Sequence, residues 1–305
     1  MPEAHRPGPG GSIDITIGLP NTVAGVTRAS LLEWSRRAEA RGFAGVASLD
    51  RLVYANYEPL IALAAAAAVT ERVRLITQVL LAPWRLNAAL LAKQVATLQH
   101  LSNGRMVLGI AVGGREDDYS ASGTTMKGRG DRLTAMIEDM LRIWEGEERG
   151  AAGGIGPPLD DVGRPQLLVG GGVEASFRRA AKLGDGWTAG GLPPELFAQA
   201  AEAVRAAWRE AGREDSPRMM ALAYFGLGPT GVEDAEHDLK HYYAWLGDET
   251  AAAIAGSAAT DEETVQAYAK AFQDAGCDEL TFFPTSTDPQ QVDLLADAIL
   301  LHDRP

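Results

Sequence analysis

The stretch from Val73 to Val112, "VRLITQVLLAPWRLNAALLAKQVATLQHLSNGRMVLGIAV", decides the fold. It opens on a run rich in Val, Ile and Leu and passes into a segment with apolar residues three and four apart. It then halts at Asn103 and Gly104 and resumes as a second apolar run. That succession is strand, helix, strand, with the Asn-Gly pair as a helix stop. The same unit recurs on both sides. Upstream lie the strand "IDITIGL" from Ile13, the helix "RASLLEWSRRAEARG" from Arg28, the strand "FAGVASL" from Phe43 and a helix through "YEPLIALAAAAAVT". Downstream come a polar loop from Gly113 to Lys127, a helix through "RLTAMIEDMLRIWEG", a glycine-rich loop and the strand "PQLLVG". A helix from Val173 to Leu183, the strand "DGWTAG", a helix entered at Pro193 and Pro194, the strand "PRMMALAYFGLG" and the strand "DELTFFP" with its own helix follow.

Eight strand-helix steps with no run of strands alone predict an α/β chain folded as a (β/α)8 TIM-like barrel. The segment Glu233 to Gly256 is then an insertion at the C-terminal face, and a doubly wound sheet is the alternative. In a barrel, ligands sit beyond the C-terminal ends of the strands. Those ends bring forward Asp50 and Arg51, Gln78 and Val79, Gly113 to Asp118, Gly170 to Gly172, and Phe283 to Pro284.

Charge narrows the function classes. The 305 residues carry 28 basic and 41 acidic side chains, a net of −13, so nucleic acid and anionic membrane surfaces are excluded as partners. The longest apolar run, Leu60 to Val69, is far short of the roughly 20 residues that span a bilayer. The start, "MPEAHRPGPGGS", lacks the apolar stretch of a secretory signal and reads as a disordered tail over residues 1–12. A single domain over 13–305 follows it, and the expected location is cytoplasmic. Cys277 is the only cysteine, which excludes an internal disulfide and a cysteine-clustered metal site and reads as a buried, inert thiol.

Several groups then carry possible chemistry. Gly170, Gly171 and Gly172 stand where a strand ends and a helix begins. Glycines there let the backbone approach a ligand closely, and the N–H groups of Val173 and Glu174 face outward for an anion. A tight strand-to-helix turn uses glycine in the same way, so both readings stand. Asp50 and Arg51 form an adjacent charged pair at the barrel lip. The stretch "GGREDDYSASGTTMKGRGDRL" has the composition of a mobile active-site lid or of a solvated loop. His237 and His241 lie one helical turn apart, but no third ligand with matching spacing accompanies them, and no metal site is predicted.

Three stretches resemble the bacterial luciferase-like family of flavin-dependent oxidoreductases: "VRLITQVLLAPWRLNAALLAKQVATLQHLSNGRMVLGIAVGG", "RPQLLVGGGVEASFRRAAKLGDGW" and "DELTFFPTSTDPQQVDLLADAI". The resemblance implies a barrel, usually a homodimer, that binds reduced FMN or the deazaflavin coenzyme F420. It also implies a non-prolyl cis peptide between Gln78 and Val79 against the flavin ring, and a phosphate tail along Gly170 to Gly172. Two positions depart from relatives. Arg51 stands where many carry the histidine of "SDH", and arginine holds an anionic substrate or a flavin peroxide but cannot act as a base. Val112, Gly113 and Gly114 stand where deazaflavin-dependent sugar-phosphate dehydrogenases carry Thr-Gly-Glu, which weakens that reading. The loop from Gly146 to Arg164 is shorter than in many relatives and implies a pocket open on that side.

The leading expectation is a two-component monooxygenase that receives reduced FMN from a separate flavin reductase and oxygenates a small organic substrate with O2. Asp50, Arg51 and Asp117 are its candidate catalytic groups. Gln78, Val79 and Gly113, with Gly170, Gly171, Gly172 and Val173, are its candidate cofactor contacts. Hydride transfer with F420, for which Lys127, Arg129 and Arg132 are candidate tail contacts, is one alternative. A non-catalytic flavin-binding or flavin-independent member of the family is another. A bulky residue at Gly171 is expected to weaken FMN more than riboflavin.

Overall fold

A computed structural model describes residues 12–299 of the chain. Apart from Ser12, the tail expected over residues 1–12 lies outside the described residues. Ten strands are present: β1 (Asp14–Gly18), β2 (Gly45–Ser48), β3 (Arg74–Leu81), β4 (Met106–Ala111), β5 (Glu148–Gly150), β6 (Gly153–Gly154), β7 (Gln166–Gly170), β8 (Gly186–Thr188), β9 (Arg218–Phe225) and β10 (Glu279–Pro284). All but β5 and β6 are parallel and close into one barrel in the order β1, β10, β9, β8, β7, β4, β3, β2. These eight are the eight strands expected, and closure rules out the doubly wound sheet. The helices are α1 (Arg28–Ala40), α2 (Pro59–Ala67), α3 (Ala88–Leu101), α4 (Glu116–Ala121), α5 (Arg129–Trp144) and α6 (Glu174–Leu183). They continue with α7 (Pro194–Glu210), α8 (Gly231–Tyr242), α9 (Asp248–Gly256), α10 (Glu262–Asp274) and α11 (Gln290–Ala298). No helix among the described residues is long and apolar enough to cross a membrane.

Period-two alternation divides the barrel strands between two cores. Ile15, Leu75, Leu108, Val169, Met219 and Phe282 point outward and pack with the helices. Ala47, Ile76, Val107, Leu168, Met220 and Phe283 form a separate buried cluster with residues of the insertion. Among the described residues the barrel interior is therefore filled by side chains. The bottom is closed by charge: Asp14, Arg74, Arg218 and Glu279, each the first residue of its strand, interlock there.

Three segments differ from expectation. The loop from Gly146 to Arg164 contains the small exposed hairpin β5–β6, and none of it lines the cavity described below. The polar loop from Gly113 to Lys127 contains α4, whose first turn holds Glu116, Asp117 and Asp118 in favourable alignment with the helix dipole. The insertion begins at Gly231 and consists of α8, a short 3-10 turn and α9.

Candidate active site at the barrel mouth

A cavity of about 420 Å³ opens at the C-terminal ends of the strands. Asp50, Gln78, Val79, Gly113 and Gly170 to Gly172 line it, and Arg51, Asp117 and Val173 do not. Leu49, Leu81, Ala111, Trp187 and Leu222 contribute apolar wall, and Tyr242, Tyr243 and Trp245 reach it from the insertion.

Gln78 and Val79 are set by a break in sheet register. Thr77 pairs with Leu108 and the next pairing is Leu80 with Ile110, so the two residues between face only Gly109. Bulges of this kind re-aim side chains and are common beside active sites. Gly109 makes it possible, because a Cβ there would lie 2.1 Å from the Thr77 carbonyl oxygen. The Gln78–Val79 peptide is cis. The Gln78 amide donates to Thr188 Oγ1 at 3.2 Å and to the Ala221 carbonyl at 3.0 Å, while its Oε1 is buried with no donor.

The glycine step is only partly an anion cradle. Val173 caps α6 and its N–H is not free, because it donates to Ser176 Oγ at 3.1 Å. That corrects the expectation that it faces a ligand. Gly171 has φ +133°, and a Cβ there would sit 2.8 Å from Ser176, so this glycine serves the turn itself. Gly172 differs, because a Cβ there would meet nothing within 4 Å.

Asp50 is almost wholly buried. The Leu81 N–H and Arg85 Nη2 donate to its Oδ2 at 2.8 and 3.0 Å, and its Oδ1 has no donor. Burial outweighs Arg85 and pushes the carboxyl up to about 6. Arg51 lies outside the cavity wall, 3.2 Å from half-exposed Asp117 and 4.9 Å from the centre of the Tyr54 ring. Burial, and next the charge of Arg115, hold its guanidinium below the ordinary value. Asp118 fastens α4 to the loop after β2 by accepting from the Leu52 and Val53 N–H groups at 3.0 and 2.7 Å. Arg129 and Arg132 donate to backbone carbonyls of Met126, Thr125 and Lys127, which braces the turn before α5.

The insertion spans the mouth. Tyr224 and Tyr243 share a 2.5 Å hydrogen bond, Tyr54 and His241 Nδ1 share one of 2.7 Å, and Tyr54 meets Tyr242 edge to face. The sequence brought Arg115 forward only within the stretch Gly113 to Asp118 and did not single out Tyr242, Tyr243 or Trp245. The aromatic cluster "HYYAWLG" in a chain of only 7% aromatic residues was the available signal. On α8, burial and next Asp234 push the buried Asp238 carboxyl up to about 7. A raised carboxyl favours folding below the ordinary range and loses that contribution as pH rises to about 7. Asp238→Asn is therefore expected to gain on the wild type by on the order of 3 kcal/mol between about pH 4 and about pH 8. Urea unfolding at both pH values measures this, and a pH-independent difference would contradict it.

A family model described as luciferase-like monooxygenase matches residues 13–299. The chain belongs to that family. An uncharacterized protein of Mycobacterium tuberculosis is 33% identical over 197 residues, covering 61% of this chain and 69% of that one. An F420-dependent secondary alcohol dehydrogenase shares the fold at a TM-score of 0.78 and 18% identity, over 96% of this chain and 100% of that one. The monooxygenase RslO1 of Streptomyces bottropensis shares it at 0.74 and 24%, over 95% and 97%.

Proposed function

We propose that this chain is the oxygenase component of a two-component flavin monooxygenase, taking reduced FMN from a separate reductase and using O2 on a small organic substrate. One observation carries the reading: Gln78 Oε1 and Asp50 Oδ1 are buried acceptors without donors, on residues that line one cavity with the glycine step. A buried acceptor left unpaired costs about 1–3 kcal/mol, so a ligand offering N–H groups is favoured there. The edge of a flavin ring offers them, and the reduced ring offers more than the oxidised one. The residues present fit the group: Gln78, Val79 and Asp50 for the ring, Gly170 to Gly172 for the ribityl phosphate. The chemistry in this reading comes from reduced FMN, which when bound supplies two electrons to O2. The chain's own task is to orient ring and substrate and to exclude water with Leu49, Leu81, Trp187 and Leu222. Asp50, at about 6, is poised to hold or release a proton at Oδ1 near neutral pH. The same reading includes a homodimer as its working form.

Hydride transfer with F420 draws less support. Gly114 stands where deazaflavin-dependent sugar-phosphate dehydrogenases carry a glutamate, and Arg129 and Arg132, which brace the turn before α5 through backbone carbonyls, do not line the cavity. Anaerobic calorimetry with FMN and F420, each oxidised and reduced, tests the choice. Reduced FMN is expected to bind at least about tenfold tighter than either form of F420. The reverse order would transfer the reading to hydride transfer, and binding of neither would favour a family member without flavin chemistry.

A further inference from the structure

The half-buried arginines around the barrel are answered by partners. Arg74 and Arg218 meet Asp14 and Glu279, Arg85 meets Asp50 and Glu58, and Arg105 donates to the carbonyls of Ser102, Thr70 and Val73. Arg115 is the exception. It is 8% exposed, lines the cavity, and among the described residues has no carboxylate within ion-pair distance. Its guanidinium lies 4.7 Å from the centre of the Tyr242 ring and 4.9 Å from that of Trp245, and its Nε is buried with no acceptor. Two aromatic faces hold such a group in place, and a hydrogen bond to Tyr242 takes up only part of its fork of N–H donors. Arg51 also lies against Tyr242, at 5.7 Å, adding a second positive charge, but Asp117 already answers it.

Desolvating a cation without a counter-ion is costly, and the chain, at −13 overall, has acidic residues to spare for a partner. We infer that Arg115 grips an anionic group, a carboxylate, on the substrate, whose apolar remainder occupies the cavity between Leu49, Leu81 and Leu222. The substrate class is thus a small organic acid. The planar guanidinium fork suits the two oxygens of a carboxylate. This assignment rests on the proposed oxygenase function for the word substrate, but not for the anion site itself.

Benzoate and benzamide, alike in shape and different in charge, are the probes. Their Kd values are measured by calorimetry on the full chain, wild type, Arg115→Gln and Arg115→Lys, alongside that of reduced FMN, with thermal melts reporting folding. Benzoate is expected to bind wild type at least about tenfold tighter than benzamide. Arg115→Gln abolishes that preference, Arg115→Lys restores it only in part, and neither moves the FMN Kd beyond about twofold. Equal binding of the two probes by wild type overturns the anion site. A loss of FMN affinity of tenfold or more in Arg115→Gln, with competition by inorganic phosphate, overturns the substrate assignment in favour of the cofactor's phosphate. If wild type prefers benzoate but binds no flavin, the proposed function fails while the anion site stands. Should Arg115→Gln not fold, the wild-type comparison and Arg115→Lys still decide the outcome.

Discussion

Glu279→Gln is expected to lower the unfolding free energy by about 3–5 kcal/mol at neutral pH. Glu279 is fully buried at the bottom of the barrel, where Arg74 Nη2 lies 3.0 Å and Arg218 Nη2 2.6 Å from its carboxylate and Thr16 Oγ1 also donates to it. Asp14 pairs with the same two arginines at 2.8 and 3.5 Å. Two cations and two anions therefore balance around a carboxylate that water does not reach. Glutamine keeps the shape and removes one charge, leaving two guanidinium groups to a single carboxylate. Burial acts to raise the Glu279 carboxyl, yet the charges of Arg74 and Arg218 prevail and hold it below its ordinary value. The sign of the pH dependence follows. A lowered carboxyl contributes stability above the ordinary carboxylate range and loses it as pH falls, so the gap between variant and wild type should narrow on acidification. Urea unfolding at several pH values reads both features. A loss below about 1 kcal/mol would put the cluster on a par with surface ion pairs and remove its claim to hold the barrel floor. FMN affinity should not change, because the cavity is at the other end of the strands.

That separation of a stabilising end from a binding end was only half legible in the sequence. Strand order was readable because most barrel strands are short apolar runs bounded by turn residues, and β8, only Gly-Trp-Thr, was placed by its position between two helices. The hairpin β5–β6 was not, since Glu148 to Gly154 is exposed and glycine-rich and shows no alternation. Helix α4 escaped notice for a different reason: it is six residues long, and Asp118 secures it by bonds to backbone 65 and 66 positions away. Asp50 and the glycines were found because barrel topology itself nominates residues at strand ends, whereas Gln78 lies within β3, where the register break turns it to the site. Arg115 followed the same rule but stood among many charged neighbours in "GGREDDY", and what distinguishes it is the lack of an ion-pairing carboxylate, which shows only in three dimensions. The path that brings Tyr242 and Trp245 across the mouth to meet it is likewise tertiary.

Gly172→Asp is expected to weaken FMN by roughly a hundredfold while leaving riboflavin within about threefold, because only FMN carries the phosphate. A carboxylate about 5 Å from a phosphate costs about 3 kcal/mol at an effective dielectric near 20. The position is suited to the test in a way that Gly171 is not. At Gly171 the backbone has φ +133°, Ser176 lies 2.8 Å from where a Cβ would be, and the carbonyl accepts from Trp187 Nε1 at 2.8 Å. A bulky side chain there would disturb the entrance of α6 and damage binding of either ligand through the turn. Gly172 is exposed and has open space at its Cβ, and an acid just before α6 is favourable to the helix dipole, so folding should be unimpaired. Gly172→Ala, which adds volume without charge, should bind FMN nearly as well as wild type. Equal losses of FMN and riboflavin in Gly172→Asp would mean that the glycines serve only the turn. An FMN-selective loss would locate the phosphate beside them, with Val173 excluded as a donor because Ser176 already holds its N–H.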